Sequence, residues 1–174
     1  MGFTLIIIGI IFLIPITKFD ILPNFLGYLA IFIGLLKLKS LNLKFGLALI
    51  PILLLFLYNL PIFISNSLFL LNIDNNITNI FANNYYQFFL ITLGMRYSVI
   101  YLIFALFFYL GIKELTNKYQ FKSLIKQLLF IMTFCILITS IPYIKVLPQY
   151  IYQIIILLIN ALEIIILLKF KYSQ

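Results

Sequence analysis

Six side chains in this 174-residue chain have the type and placement to do chemistry: Asp20, Asn24, Tyr28, Arg96, Asn160 and Glu163. All lie in or beside long apolar runs, and a charge inside a bilayer costs at least a few kcal/mol, so each charged member calls for a functional hypothesis. Arg96 is the only arginine in a chain that otherwise uses lysine. Its planar guanidinium suits a fixed, two-pronged carboxylate contact that lysine cannot reproduce. By helical rise it sits roughly 25 Å from Lys113, which puts it at the depth of Asp20 in the turn after the first apolar run. Asp20 is the expected partner, with Asp74 second, and such a pair would clamp the turn or receive an anionic ligand. The alternative is an arginine that snorkels to headgroups as an anchor.

Asn24 and Tyr28, one turn apart, can line a pocket or cap a helix and bond a neighbour. Glu163 lies about 9 Å along a helix from Lys169. Asn160, three residues earlier, shares its face. The depth of Glu163 differs from that of Arg96 by roughly 15 Å by the same arithmetic, which keeps the two apart. A proton- or cation-binding role fits Glu163. So does a carboxylic acid held neutral by burial, or one that reaches a lysine.

Enzyme chemistry lacks its parts. There is no histidine, and the single cysteine, Cys135, lies inside an apolar run. The usual general base and the commonest transition-metal ligand are therefore both missing, and no intramolecular disulfide can form. No zinc-protease, nucleophile-elbow or phosphate-loop motif is present, and four acidic residues are spread over the whole chain. The expectation is a non-enzymatic protein with no metal and no cofactor.

The elements that must position these residues follow from composition and charge. The chain is 65% hydrophobic and 9% charged, with a mean hydropathy of +1.21, far from soluble proteins in which about a quarter of residues are charged. Lysines concentrate at Lys37 to Lys44, Lys113 to Lys126 and Lys169 to Lys171, and the intervening turns carry little charge. Short Lys-rich loops resist translocation, so these places belong in the cytoplasm. The expected fold is an all-α bundle of six transmembrane helices forming one domain, both termini inside. The spans are 2–17, 23–38, 43–64, 88–112, 124–141 and 150–168.

The start MGFTLIII has no basic region and no small-residue cleavage site, so it reads as a retained first span. The turn at Lys18 to Asn24 is flanked by short spans and should be covered by protein. Pro51 should kink the third span. Ser65 to Asn84 belongs outside, with a short interfacial helix at Leu68 to Ile73. Tyrosines near the proposed boundaries, Tyr109, Tyr119 and Tyr172 on the inner side, read as an interfacial belt. Gly2 and Gly9, then Gly27 and Gly34, form a small-residue stripe that lets the first two helices approach closely. The net charge of +8 sits beside apolar spans, so the expected partners are anionic lipid headgroups at the inner face. A membrane-protein partner is also expected, and no nucleic acid.

Leu22-Pro23-Asn24-Phe25-Leu26-Gly27-Tyr28 carries a resemblance. It is similar to a family of small, uncharacterised bacterial multi-pass membrane proteins that open with a hairpin reading Leu-Pro-Asp-Phe-Ile-Gly-Tyr. The likeness extends from the start of the chain to the neighbourhood of Lys39. Asn24 stands where the family pattern has Asp, which removes a negative charge and weakens any cation site in that turn. The resemblance implies residence in a bacterial cell membrane and no mechanism. The functional expectation is a small transport component or an accessory subunit of a membrane complex. The competing class is a lipid-modifying or immunity-type protein at the inner membrane face.

Overall fold

The computed structural model describes residues 1–13, 23–70, 86–116, 119–140 and 149–173. Within these, side chains are described except at 23, 61–70, 86–98, 135–140, 149–153, 155, 156 and 173. Six helices make up the described chain, with no strand among the described residues: α1 (Gly2–Phe12), α2 (Pro23–Leu38), α3 (Leu43–Leu70), α4 (Tyr86–Leu115), α5 (Tyr119–Ser140) and α6 (Gln149–Ser173). Leu43–Leu60, with a mean hydropathy of 2.0, is the one stretch among the described residues long and apolar enough by itself to cross a membrane; Gly2–Phe12 and Asn24–Leu38 are apolar but shorter.

Several helices run beyond the expected spans. α3 runs on past Ile64 to Leu70, so the short helix expected at Leu68 to Ile73 is not separate up to that point. No Gly or Pro lies between Ile62 and Leu70 to stop it. α5 begins at Tyr119 rather than Leu124, and α6 continues through Lys169 and Lys171 to Ser173. Apolar content marked the expected ends, whereas backbone hydrogen bonding sets the real ones. α4 passes unbroken through Gly94-Met95-Arg96.

Each helix packs against its neighbours in sequence, and α6 returns to α1, so the six close into a ring. One stripe of each helix faces inward at helical spacing: Tyr101, Phe104, Ala105, Phe108, Tyr109 and Ile112 on α4 show the period clearly. Aromatic rings fill the interior near one end. Phe3 on α1 meets Phe45 on α3 edge-on at 6.2 Å and Phe170 on α6 at 5.2 Å between ring centroids. Phe121 on α5 meets Phe170 at 6.1 Å, and Phe45 meets Phe108 on α4 at 5.7 Å. Each such pair contributes about 0.5–1.5 kcal/mol beyond the area it buries. The same contacts bring Met1 and the lysine-bearing ends of α2 to α6 to one end of the bundle. All eight described lysines lie at or near it.

The stripe of small residues does what its spacing predicts. A Cβ built on Gly9 would lie 2.6 Å from the Gly27 carbonyl oxygen, and one on Gly34 would lie 2.9 Å from the Gly2 carbonyl oxygen. α1 and α2 run antiparallel with their backbones in contact at these two crossings. Gly46, on α3, meets nothing within 4 Å. It therefore serves as an internal control. Gly9→Ala is expected to destabilise by about 1–3 kcal/mol, since overpacked backbone must move. Gly46→Ala should be neutral or stabilising by about 0.5–1 kcal/mol through helix propensity. Thermal unfolding of both variants in detergent, followed by circular dichroism, checks the contrast; equal shifts would mean the seam is not tight.

Candidate functional site

The inward stripe of α6 reads Asn160, Glu163, Ile166, Leu167 and Phe170, so two polar residues sit where the period calls for apolar ones. Glu163 is 0% exposed and Asn160 is 5% exposed. They share one face three residues apart, as their spacing requires. The Tyr101 hydroxyl, from α4, donates to Glu163 Oε2 at 2.9 Å. Tyr109, two turns further along the same stripe of α4, is also 0% exposed and lies within electrostatic reach of the same carboxyl. The pair falls outside strict hydrogen-bond geometry, so Tyr109 Oη and Glu163 Oε1 are both buried without a hydrogen-bond partner. Phe104 and Phe108 separate the two tyrosines along α4, the first 5.4 Å from the Tyr101 ring and the second 5.1 Å from the Tyr109 ring. The result is one carboxyl group and two phenols in an aromatic interior.

Such an arrangement can hold a proton or stabilise a positive charge. Among the described residues, no group of three or more His, Cys, Asp or Glu side chains could hold a metal ion. Asn59, on α3, is a further buried polar residue, but its amide donates to the Leu55 carbonyl oxygen of its own helix at 2.8 Å and is satisfied locally.

A second polar cluster occupies the lysine-bearing end. Asn42 Oδ1 accepts from the Lys44 backbone N–H at 2.8 Å, capping the start of α3. The same side chain donates through Nδ2 to Glu114 Oε2 at 2.9 Å, and Lys44 Nζ forms an ion pair with Glu114 Oε1. The turn between α2 and α3 is thereby tied to the end of α4. The hydrogen bond from Lys44, then that from Asn42, holds the Glu114 carboxyl below the usual carboxylate range.

The other expected site residues are distributed as follows. Tyr28 is buried at 2% exposure on α2 and is engaged within the protein, and Asn24 is half-buried one turn earlier. Arg96 lies on α4, but its side chain is not among those described, and Asp20 and Asp74 lie outside the described residues. The expected Arg96–Asp20 pair and the cover over the turn at Lys18 therefore fall outside them as well. Tyr109 corrects the tyrosine belt: it is buried in the interior, whereas Tyr119 and Tyr172 are 84% and 81% exposed at the end of the bundle. The α4 stripe could have revealed this, because Tyr101, Ala105 and Tyr109 recur every fourth residue beside Phe104 and Phe108. Compared with protein-family models, with curated proteins and with solved structures, the chain matches none of them.

Two outcomes follow from this geometry. Tyr101→Phe leaves a buried acceptor short of its donor and should cost about 1–3 kcal/mol. In a Glu163→Leu background the same change should cost close to nothing, and an equal cost in both backgrounds would mean the bond to Glu163 is not its source. The second outcome concerns acid. The folded Glu114 carboxyl binds its proton less readily than the unfolded one, so its contribution is present above the ordinary value of about 4.3 and lost as pH falls through the lower folded value. Exposure keeps the effect small. Glu114→Gln should flatten part of the acid side of the thermal midpoint against pH, leaving the neutral side level, as measured by circular dichroism.

Proposed function

We propose that this chain is a polytopic, non-enzymatic integral membrane protein, serving as a small transport component or as an accessory subunit of a larger membrane complex. The supporting observation is the placement of polar and apolar side chains. Outward positions are apolar on every helix, among them Ile8 and Ile11 on α1, Ile33 and Leu36 on α2, and Ile50, Leu54 and Leu57 on α3. The same holds for Val99 and Ile103 on α4, Phe130 and Phe134 on α5, and Leu158 and Ile165 on α6. A helix in a water-soluble bundle keeps a charged face toward solvent, whereas one apolar all round belongs in a large core or a bilayer. A chain of this length has no such core to bury six helices, and exposed apolar patches of this extent call for a covering phase.

Charge supports an orientation. The lysine-bearing end belongs in the cytoplasm, against anionic headgroups, because lysine-rich turns resist translocation and are attracted to the inner leaflet. α1 and α2 are short for a span of about 20 residues, and in this reading the surrounding helices cover the ends they leave. The resemblance of the Leu-Pro-Asn-Phe hairpin to bacterial multi-pass proteins is in keeping with a bacterial cell membrane as the location in this reading. Between the two roles, the buried acid on α6 supports transport, since ionisable side chains inside a bundle are retained where they bind or relay something.

Topology is the direct test. In a Cys135→Ser background, a cysteine placed at Asn75 should be modified from outside whole cells by a membrane-impermeant maleimide. One placed at Lys118 should react only after the membrane is opened. The reverse pattern would overturn the orientation, and recovery of the intact chain in the soluble fraction after alkaline carbonate extraction would overturn membrane integration itself.

A further inference from the structure

One carboxyl group lies in the described interior of the ring, and its hydrogen bonding is incomplete. Glu163 is fully buried, with Oε2 held by Tyr101 and Oε1 left without a hydrogen-bond partner. Opposite, the Tyr109 hydroxyl is likewise buried and unpaired by hydrogen-bond geometry. Among the described side chains, the elements around α6 offer no neutralising cation near this group. α1 carries no titratable side chain between Gly2 and Leu13. Among the described side chains, α5 carries Tyr119, Lys122 and Lys126, and α6 itself carries Lys169, Lys171 and Tyr172, all toward the lysine-bearing end. α4 presents the two phenols, its Lys113 and Glu114 lie at that same end, and Arg96 and Tyr97, toward the opposite end of α4, are outside the described side chains. Among the described residues the only ion pair is Lys44 with Glu114, far from this group in chain position and at the surface.

An uncompensated carboxylate in such surroundings is strongly disfavoured. The cation that needs no cavity of its own is the proton. We propose that Glu163, Tyr101 and Tyr109 form a buried binding site for one exchangeable proton. The proton bonds to Oε1, the oxygen that has no partner, and converts the carboxylate to a neutral acid with no other product. The new O–H donates to Tyr109 Oη after a small side-chain adjustment, and Tyr101 continues to donate to Oε2. Water at the lysine-bearing end supplies and receives the proton, about 9 Å away by helical rise from Glu163 to Lys169. α4 and α6 are not neighbours in the ring, so the bound proton completes a polar tie across the interior. This assignment stands on the interior geometry and is independent of the membrane reading.

Infrared spectroscopy of the folded full chain tests the site at neutral pH. With Asp20, Asp74, Glu114 and Glu163 as the only carboxylic side chains, a protonated one is resolved as an acid carbonyl band apart from the carboxylate bands. The expected result is such a band, shifted in heavy water, lost in Glu163→Gln and displaced in both Tyr101→Phe and Tyr109→Phe. Absence of the band in the wild type, or its survival in Glu163→Gln, overturns the proposal. A band that does not shift in heavy water shows the proton is not exchangeable and overturns it too. Should Glu163→Gln fail to fold, the two tyrosine variants carry the test, because an unmoved band in both removes the phenols from the site.

Discussion

The architecture depends on how closely α1 can approach α2. Backbone contact at Gly9 with Gly27, and at Gly2 with Gly34, fixes the position and tilt of α1. From there Phe3 reaches both Phe45 and Phe170, which joins three walls of the ring through one side chain. α1 has only eleven helical residues, and such a helix has little intrinsic stability of its own, so its place comes from packing. Without the two glycine crossings, α1 would stand further out and Phe3 would lose its seat among the rings. Ring closure between α1 and α6 therefore depends on four residues with no side chain.

Polarity is distributed in the opposite sense to a soluble bundle. Away from the lysine-bearing end, the described outward positions are largely aliphatic and aromatic, while Glu163, Tyr109 and Asn160 turn inward. In the proposed bilayer, van der Waals packing would hold the helices together, since lipid gives no hydrophobic preference for the interior. Tight seams and interlocking rings meet that need, and hydrogen bonds such as Tyr101 to Glu163 add directionality. The lysine-bearing end has its own device in Asn42, which caps one helix and bonds the end of another.

Much of this was legible in the sequence because it rests on period and charge. Helix positions, the common end of the lysines and the glycine seam all follow from regular spacing along one chain. Glu163 and Asn160 were identifiable as an inward polar pair for the same reason. Their partners were not. Tyr101 and Tyr109 belong to a helix that does not adjoin α6, and a contact across the interior leaves no spacing signal. Tyr109 also lies near a lysine, which made it resemble a boundary residue. Helix ends at α3, α5 and α6 lie beyond the apolar runs because polar residues that leave the run still continue the hydrogen-bonded helix. The Arg96–Asp20 pairing rests on the lone arginine, its guanidinium geometry and matching depth, and both side chains lie outside those described.

The cyclic order of the helices has a kinetic meaning. Five of the six interfaces join helices adjacent in sequence, and only α1 with α6 joins distant parts of the chain. Contacts of short sequence separation form early and fast, and chains assemble from the N-terminus as they are made. Each new helix can dock on its predecessor before the next one exists. The long-range closure comes last, at an entropic cost that grows only slowly with the length of chain enclosed. Until that closure the open side of the incomplete ring leaves Phe3 without the Phe170 contact. α6 brings both the ring that seals this gap, Phe170, and the acid that faces Tyr101. Glu163 thus enters the interior only at the step that completes the fold.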